Sequence, residues 1–340
     1  MNRGAATATN AAAAECAREV LETWGSSADA VVAGFFALAG DHAAGLFAPL
    51  VVLVAGPGAG ARVFDGRALQ PGRGLTRPRG FMHGEAVPAA AHAAVPRSVG
   101  ALALVQRQRG RQTFARLADR GVAIARDTGD DDRARTIARA SQEGPSFLLR
   151  DPYRSAVLTA AGSLARGTLT AQDLEEAQAD ERPALSDIVE GASLVVATPL
   201  GAPIETGTDS MIGRFEAIVA VDAQGVATCL IAWLDETGVS VPELGVTLPA
   251  CGAPVRRGVQ RVHPGEPRPL ATPMAVVERG PDQRVAVAGL RADACRVDDL
   301  IALATEPVLE SAVGRLSARG GVIAVAAERS GGRVVVGSAK

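Results

Sequence analysis

The chain has 340 residues, 47% of them hydrophobic but only 3% aromatic, and a formal net charge of −2. That composition supplies a large core of Ala, Val and Leu, excludes disorder as the main state, and sets a length of one large or two small domains. A near-neutral charge without a basic stripe excludes the usual nucleic-acid surfaces.

Gly4–Thr9 reads as a short strand. Asn10 is a cap for a helix over Ala11–Thr23, and Ser26 or Ser27 for a second, ADAVVAGFFALAG, apolar nearly all round and therefore buried. Leu50–Ala55 and Ala61–Phe64 read as strands joined by a glycine-rich turn. Ala43–Ala61 carries no charge and is long enough to span a membrane, but Pro49, Pro57 and several glycines argue for strand and turns. Gln70–Pro96, rich in Pro, Gly and Arg, reads as loop. Ser98–Gln108, Thr113–Arg126 and Asp130–Ser141 read as helices, as does TAQDLEEAQAD, started by Thr168 or Thr170, with Thr170 and Asp173 resembling a capping box.

Ser193–Thr198 reads as a strand. A hairpin follows, with two apolar arms about Asp222-Ala223-Gln224-Gly225. Two further strands, Met274–Glu278 and Arg284–Gly289, precede helices at Asp298–Ala304 and Glu306–Arg319 and closing strands at Gly321–Ala326 and Arg333–Gly337. Hairpin-joined strands at both ends of the chain favour antiparallel sheets covered by helices. Cys16, Cys229, Cys251 and Cys295 are scattered, which reads as buried thiols in a reducing compartment rather than a metal cluster. The first twenty residues lack a continuous apolar stretch, so no signal peptide is expected, and a cytoplasmic protein is.

The ordered segments resemble the gamma-glutamyltranspeptidase family. GAATATNAAAAECAREVLETWGSSADAVVAGFFALAGDHAAG is similar to its opening, with Asp29 and Ala30 on the family's Asp-Ala pair. VFDGRALQP is similar to Asp-Gly-Arg-Glu-x-Ala-Pro, which puts Arg67 on the arginine that holds the substrate carboxylate. AAVPRSVGALALVQRQ, GTLTAQDLEEAQ, LVVATPLGAP, AIVAVDAQGVATCLI, GEPRPLATPMAVVE and the tail from Leu316 follow in the family's order, from about Gly4 to Lys340.

The resemblance implies an α+β fold, the N-terminal-nucleophile hydrolase αββα sandwich: two stacked antiparallel sheets between helix layers. It implies one domain over 1–340, with 1–205 like the family's large subunit and 215–340 like its small one. Where the family carries a long helical stretch, this chain has about a dozen residues between Pro203 and Phe215, so it reads as a shortened member.

In active members a self-cleaved Thr stands seven residues before the hairpin Asp, its freed amine serving as base. Counting back from Asp222 gives Phe215, followed by Glu216 and Ala217. The glycine-rich turn has become AAGLFAPLV, and the charged segment that reads the substrate amine has become PACGAP, Pro249–Pro254. The Ser-Ser pair is Ala271-Thr272, and the oxyanion glycines fall near Leu290, Arg291 and Asp293.

No catalytic residue is assigned; Glu216, His42 and Thr208 are the candidates. Glu216 is either a base or cation ligand beside the cleft, or an edge-strand charge facing solvent. His42 is either a general base or a helix-end cap. Cys251 is a thiol with Arg256 and Arg257 as its nearby charges, and His263 a loop histidine near the old cleft. Substrate-binding expectations are Arg67, Thr272, Phe215 and Glu216. No metal and no cofactor is expected.

The first reading is a degenerate, uncleaved protein that is not a conventional gamma-glutamyltransferase. It binds a small carboxylate-bearing metabolite and serves a specialised biosynthetic pathway as a non-hydrolytic enzyme or binding partner. The second is an active amide hydrolase or acyltransferase using Thr208 or Ser210. The third is a structural subunit beside an active paralogue. Neither nucleic acid nor membrane is an expected partner; a homo-oligomer or a paralogue complex is.

Overall fold

A computed structural model describes residues 4–76, 80–189, 191–197, 213–270, 274–279, 283–289, 311, 314, 322–328 and 333–337. The chain opens with β1 (Gly4–Ala8), α1 (Ala11–Glu22), α2 (Ser27–Asp41), β2 (Leu50–Gly56) and β3 (Gly60–Gly66). Five helices follow: α3 (Ser98–Arg109), α4 (Phe114–Asp127), α5 (Asp131–Glu143), α6 (Tyr153–Ala161) and the short α7 (Ala171–Glu175). Then come β4 (Asp180–Pro183), β5 (Leu185–Val189), β6 (Ala192–Val196), β7 (Gly213–Asp222), β8 (Ala227–Asp235), β9 (Val239–Val241) and β10 (Val246–Leu248). The last described strands are β11 (Met274–Arg279), β12 (Gln283–Gly289), β13 (Val322–Glu328) and β14 (Arg333–Gly337).

Two six-stranded antiparallel sheets are formed, in the orders β1-β7-β8-β2-β3-β4 and β14-β13-β12-β11-β6-β5. Alternate residues decide which side each strand buries. Val51, Ala217, Val219, Cys229 and Ile231 of the first sheet pack against Val276, Ala286, Ala288 and Val325 of the second. The intervening positions, Val52, Val54, Ile218, Leu230 and Ala232, pack with the helices. On the second sheet, Val277, Val285 and Val287 lie on the face turned away from the sandwich and are buried too. The result is the layered α+β sandwich expected.

The helix caps follow from the sequence. Asn10 accepts from the Ala13 amide at 3.0 Å, and Ser26 and Asp29 form a reciprocal capping box at the start of α2. In the β7–β8 turn, Asp222 accepts from the Gln224 and Val226 amides, and Gly225 takes φ +78°, a conformation that favours glycine.

Several expectations change. The helix after Thr170 ends at Glu175, and the chain then runs to β4 along the outer edge of the first sheet. Helix α6 and strands β4, β5, β9 and β10 were not anticipated. The expected helices at 298–304 and 306–319 lie outside the described residues, save Ser311 and Gly314, which are helical. No helix among the described residues is long and apolar enough to cross a membrane.

Candidate functional site

Strand β7 begins in register with the end of β8, Phe215 opposite Trp233 and Glu216 opposite Ala232. Because strand side chains alternate, Phe215 and Ala217 share the face between the sheets, and Glu216 and Ile218 share the helix-facing side. The neighbours agree. Half-buried Phe215, like Leu270, packs against a buried cluster of Ala68, Ala94, Trp233 and Cys251. The position that the resemblance gives to a reactive hydroxyl is therefore the rim of an apolar floor.

Arg67 lies in the same cross-strand row. Leu50 pairs with both Gly66 and Ala232, and one step further on the Trp233 amide donates to Pro49. The row thus runs Arg67, Pro49, Trp233, Phe215, with backbones spaced about 4.8 Å apart. Asp65, near the end of β3, and Arg67, just past that end, are brought together. Nε and Nη2 of Arg67 donate to the Asp65 carboxylate at 3.0 and 2.7 Å, which occupies one edge of the guanidinium fork. Buried Arg97 sits behind them, donating to the Arg67 carbonyl at 2.7 Å and pairing with Asp65 and Asp180.

Burial pushes the Asp65 carboxyl up, but the hydrogen bonds and charge of Arg67, with help from Arg97, outweigh it and hold the group below the ordinary carboxylate range. In the unfolded chain an Asp titrates near about 3.9. Between the folded value and that one the unfolded chain binds more protons, so this contribution is present above the window and lost as pH falls through it. Asp65→Asn is expected to flatten the acid limb. Its urea midpoint should fall less than the wild type's between about pH 5 and pH 3, and parallel acid limbs would contradict the pair.

Glu216 corrects both of its sequence expectations. It is neither an edge charge in solvent, since β7 lies between β1 and β8 and Glu216 is 6% exposed, nor a neighbour of Phe215 in the cleft. It accepts from the Thr9 hydroxyl and, at 2.9 Å, from Arg214. The Thr9 hydroxyl also accepts from the Ala217 amide at 3.0 Å. His42, at the C-cap of α2, stands with Nε2 2.6 Å from Arg214 Nη2 and 3.2 Å from Asp41, which in turn accepts from Asn10. This chain of polar contacts pins the head of β7 to β1 and to the ends of α1 and α2. It lies on the far side of the sheet from Phe215, so His42 serves as a cap and tether there.

Asp29 is fully buried. It closes the Ser26 capping box and accepts from the Arg111 amide at 2.9 Å. Its role is structural. The segment Pro249–Pro254 carries no charge of its own and is held through its backbone: the Gln70 side-chain amide both donates to and accepts from Ala253, the Ala94 amide donates to the Pro249 carbonyl, Asp235 accepts from the Ala250 amide, and Arg268 donates to the Cys251 carbonyl. Cys251 within it is buried, and burial pushes its thiol up to about 12, with Arg268 and Asp235 as its charged neighbours rather than Arg256 and Arg257. A thiol so held is protonated at neutral pH and not a nucleophile. Cys16 is likewise buried and pushed up to about 12, and Cys229 is buried.

His92 is partly buried, and burial with the Arg256 charge lowers its pKa. Thr208, Ser210, Thr272, Leu290, Arg291, Asp293 and Cys295 lie outside the described residues. Among the described residues no group of His, Cys, Asp and Glu is arranged to hold a metal ion. The contributions of Trp233 and Arg97 to this region went unnoticed in the sequence; the hairpin register was the available signal for Trp233.

No sequence-family description matches the chain, and no curated protein matches it in sequence. Solved structures do match. Cephalosporin acylase from Bacillus halodurans superposes with a TM-score of 0.72 at 12% identity, over 100% of this chain and 94% of the acylase. A form of LmbA2991 gives 0.69 at 16% identity, over 100% of this chain and 97% of that one. A gamma-glutamyltranspeptidase from Pseudomonas nitroreducens, complexed with L-DON, gives 0.50 at 20% identity, over 58% of this chain and 72% of that one. At such identities the likeness is one of fold, and function rests on the site.

Proposed function

We propose that this chain, which carries a gamma-glutamyltranspeptidase-like fold, binds a small carboxylate-bearing metabolite between its two sheets without self-cleavage or covalent acyl transfer. Phe215 is the observation that carries the reading. A phenyl ring at the head of β7 has no hydroxyl to attack a carbonyl or to break its own chain, and it packs on an apolar floor made by Trp233, Ala68, Ala94 and Cys251. Loss of the nucleophile in a hydrolase costs roughly 10⁶ in turnover, which residual geometry does not recover.

The recognition residues in this reading are Arg67, Phe215 and Thr272. Asp65 holds the Nε–Nη2 edge of Arg67, so the edge carrying Nη1 is the one that grips a ligand carboxylate, while the apolar part of the ligand lies along Phe215. The role is that of a binding partner or non-hydrolytic enzyme in a specialised biosynthetic pathway of the cytoplasm, as a homo-oligomer or beside a longer paralogue.

Isothermal titration with L-glutamate, glutarate and phenylalanine tests the recognition step. Arg67→Ala is expected to weaken the best-bound carboxylate by about tenfold to a hundredfold, the worth of a charge-assisted hydrogen bond. Arg67→Lys, which keeps the charge but loses the planar fork, should fall between. Binding that is indifferent to Arg67, or absent for every carboxylate tried, overturns the assignment.

A further inference from the structure

A cavity of about 440 Å³ lies away from Phe215, on the helix side of the first sheet. It opens between α3, the tight turn Gly144–Leu149 and the segment from Leu174 to Ala179. Its size falls in the range of small-molecule pockets. Phe47, Val99, Leu104, Leu148 and Leu174 give it apolar walls, and Leu149, at 36% exposure, leaves apolar surface open at its mouth.

The polar groups around it are mostly committed elsewhere. The Ser98 hydroxyl donates to the Leu46 carbonyl, the Ser146 hydroxyl to Glu143, and Glu175 is paired with Arg154 at 3.0 Å. Arg97 lines the pocket too, and its guanidinium is held by Asp65, Asp180 and two carbonyls. Arg107 is different. It stands exposed at the rim on the last turn of α3 and forms no ion pair with any described residue. An apolar pocket with one uncommitted cation at its mouth is complementary to a molecule with an apolar tail and one anionic head.

We infer that this pocket is a second binding site, for a free medium-chain or aryl carboxylic acid, its tail along α3 and its carboxylate at Arg107. It is separate from the site proposed at Phe215, although Arg97 links them: it lines this pocket, and its guanidinium donates to the Arg67 carbonyl.

Calorimetric titration of the full chain with butyrate, hexanoate, octanoate and octan-1-ol tests the site. Affinity is expected to rise about fourfold per added methylene, as burial of each CH₂ requires. Ala103→Phe, which fills the pocket from a half-buried position on α3, should abolish octanoate binding. Arg107→Gln should weaken octanoate about two- to fivefold and leave octan-1-ol unchanged, the scale of an exposed ion pair. Arg67→Ala should leave the octanoate Kd within about twofold, which separates this site from the cleft whatever that cleft binds. The inference falls if octanoate does not bind saturably, if Ala103→Phe binds it as the wild type does, or if Arg67→Ala alone removes it. Light scattering that shows Ala103→Phe splitting an oligomer would also overturn it, by giving the groove to a second copy of the chain.

Discussion

Gly121→Val is expected to cost about 3 kcal/mol or more of folding stability, at the upper end of overpacking effects. Helices α2 and α4 meet backbone to backbone. A Cβ at Gly121 would stand 2.1 Å from the Phe36 carbonyl oxygen, and one at Gly40 would stand 2.2 Å from the Gly121 carbonyl oxygen. Those neighbours are main chain and have no rotamer to change, so the helices must separate. Separation would open the layer in which Phe36 meets Phe114 edge to face and in which Leu117, Ala118 and Ala125 are buried. Urea unfolding of Gly121→Val measures the loss, and Gly129→Val serves as the comparison for a β-branched residue at a glycine with open space around it. Because Gly129 has φ +80°, that control carries its own backbone strain, so the contrast to measure is the excess at Gly121. A Gly121 variant as stable as the wild type would mean that the two helices do not approach so closely.

Asp29→Ala should cost about 3–5 kcal/mol, because it strips the partner from buried amides rather than from solvated ones. The carboxylate accepts from the Ser26 amide at 2.9 Å, the Ser26 hydroxyl at 3.0 Å and the Arg111 amide at 2.9 Å, with Asp29 itself fully buried. It thereby caps α2 and fastens the turn after α3 to the start of that helix. Asp29→Asn keeps the size and one acceptor oxygen, so its loss should be smaller than that of Asp29→Ala. Equal losses would assign the effect to volume rather than to hydrogen bonding. Thermal and urea unfolding of the two variants decide between these outcomes.

Much of this architecture is legible in the sequence because local chemistry agrees with the fold. Asn10, Ser26 and Thr170 announce helix starts through side chains that reach amides three residues on. The Asp222–Gly225 turn with its two apolar arms announces the central hairpin. Strands β4 and β5 were hidden for a physical reason. They are edge strands, DERP and LSDIV, whose side chains are mostly exposed, so no apolar alternation marks them.

The site was legible in part. Counting back to Phe215 places an inert residue at the strand head, and the register of β7 puts it opposite Trp233. The alternation of a strand also separates Phe215 from Glu216, a deduction available from the sequence alone and not drawn there. The surroundings that explain Glu216 are different in kind: its partner Thr9 lies 207 positions away, and its other partner, Arg214, is met by His42 from the end of α2, so only the folded chain joins them. The Asp65–Arg67 pair is the reverse case. Residues two apart at the end of an extended strand share a face, and the pairing follows from spacing, whereas Arg97 behind it does not.

The proposed function requires that Phe215 stand where a self-freed Thr would be needed. Intact-mass spectrometry of the purified, denatured chain tests it directly, before and after incubation with an electrophilic glutamine analogue. The account predicts one species at 34.6 kDa with no added mass. Two fragments whose break lies just ahead of β7, or a stable adduct on a Thr or Ser at a new amino terminus, would contradict it.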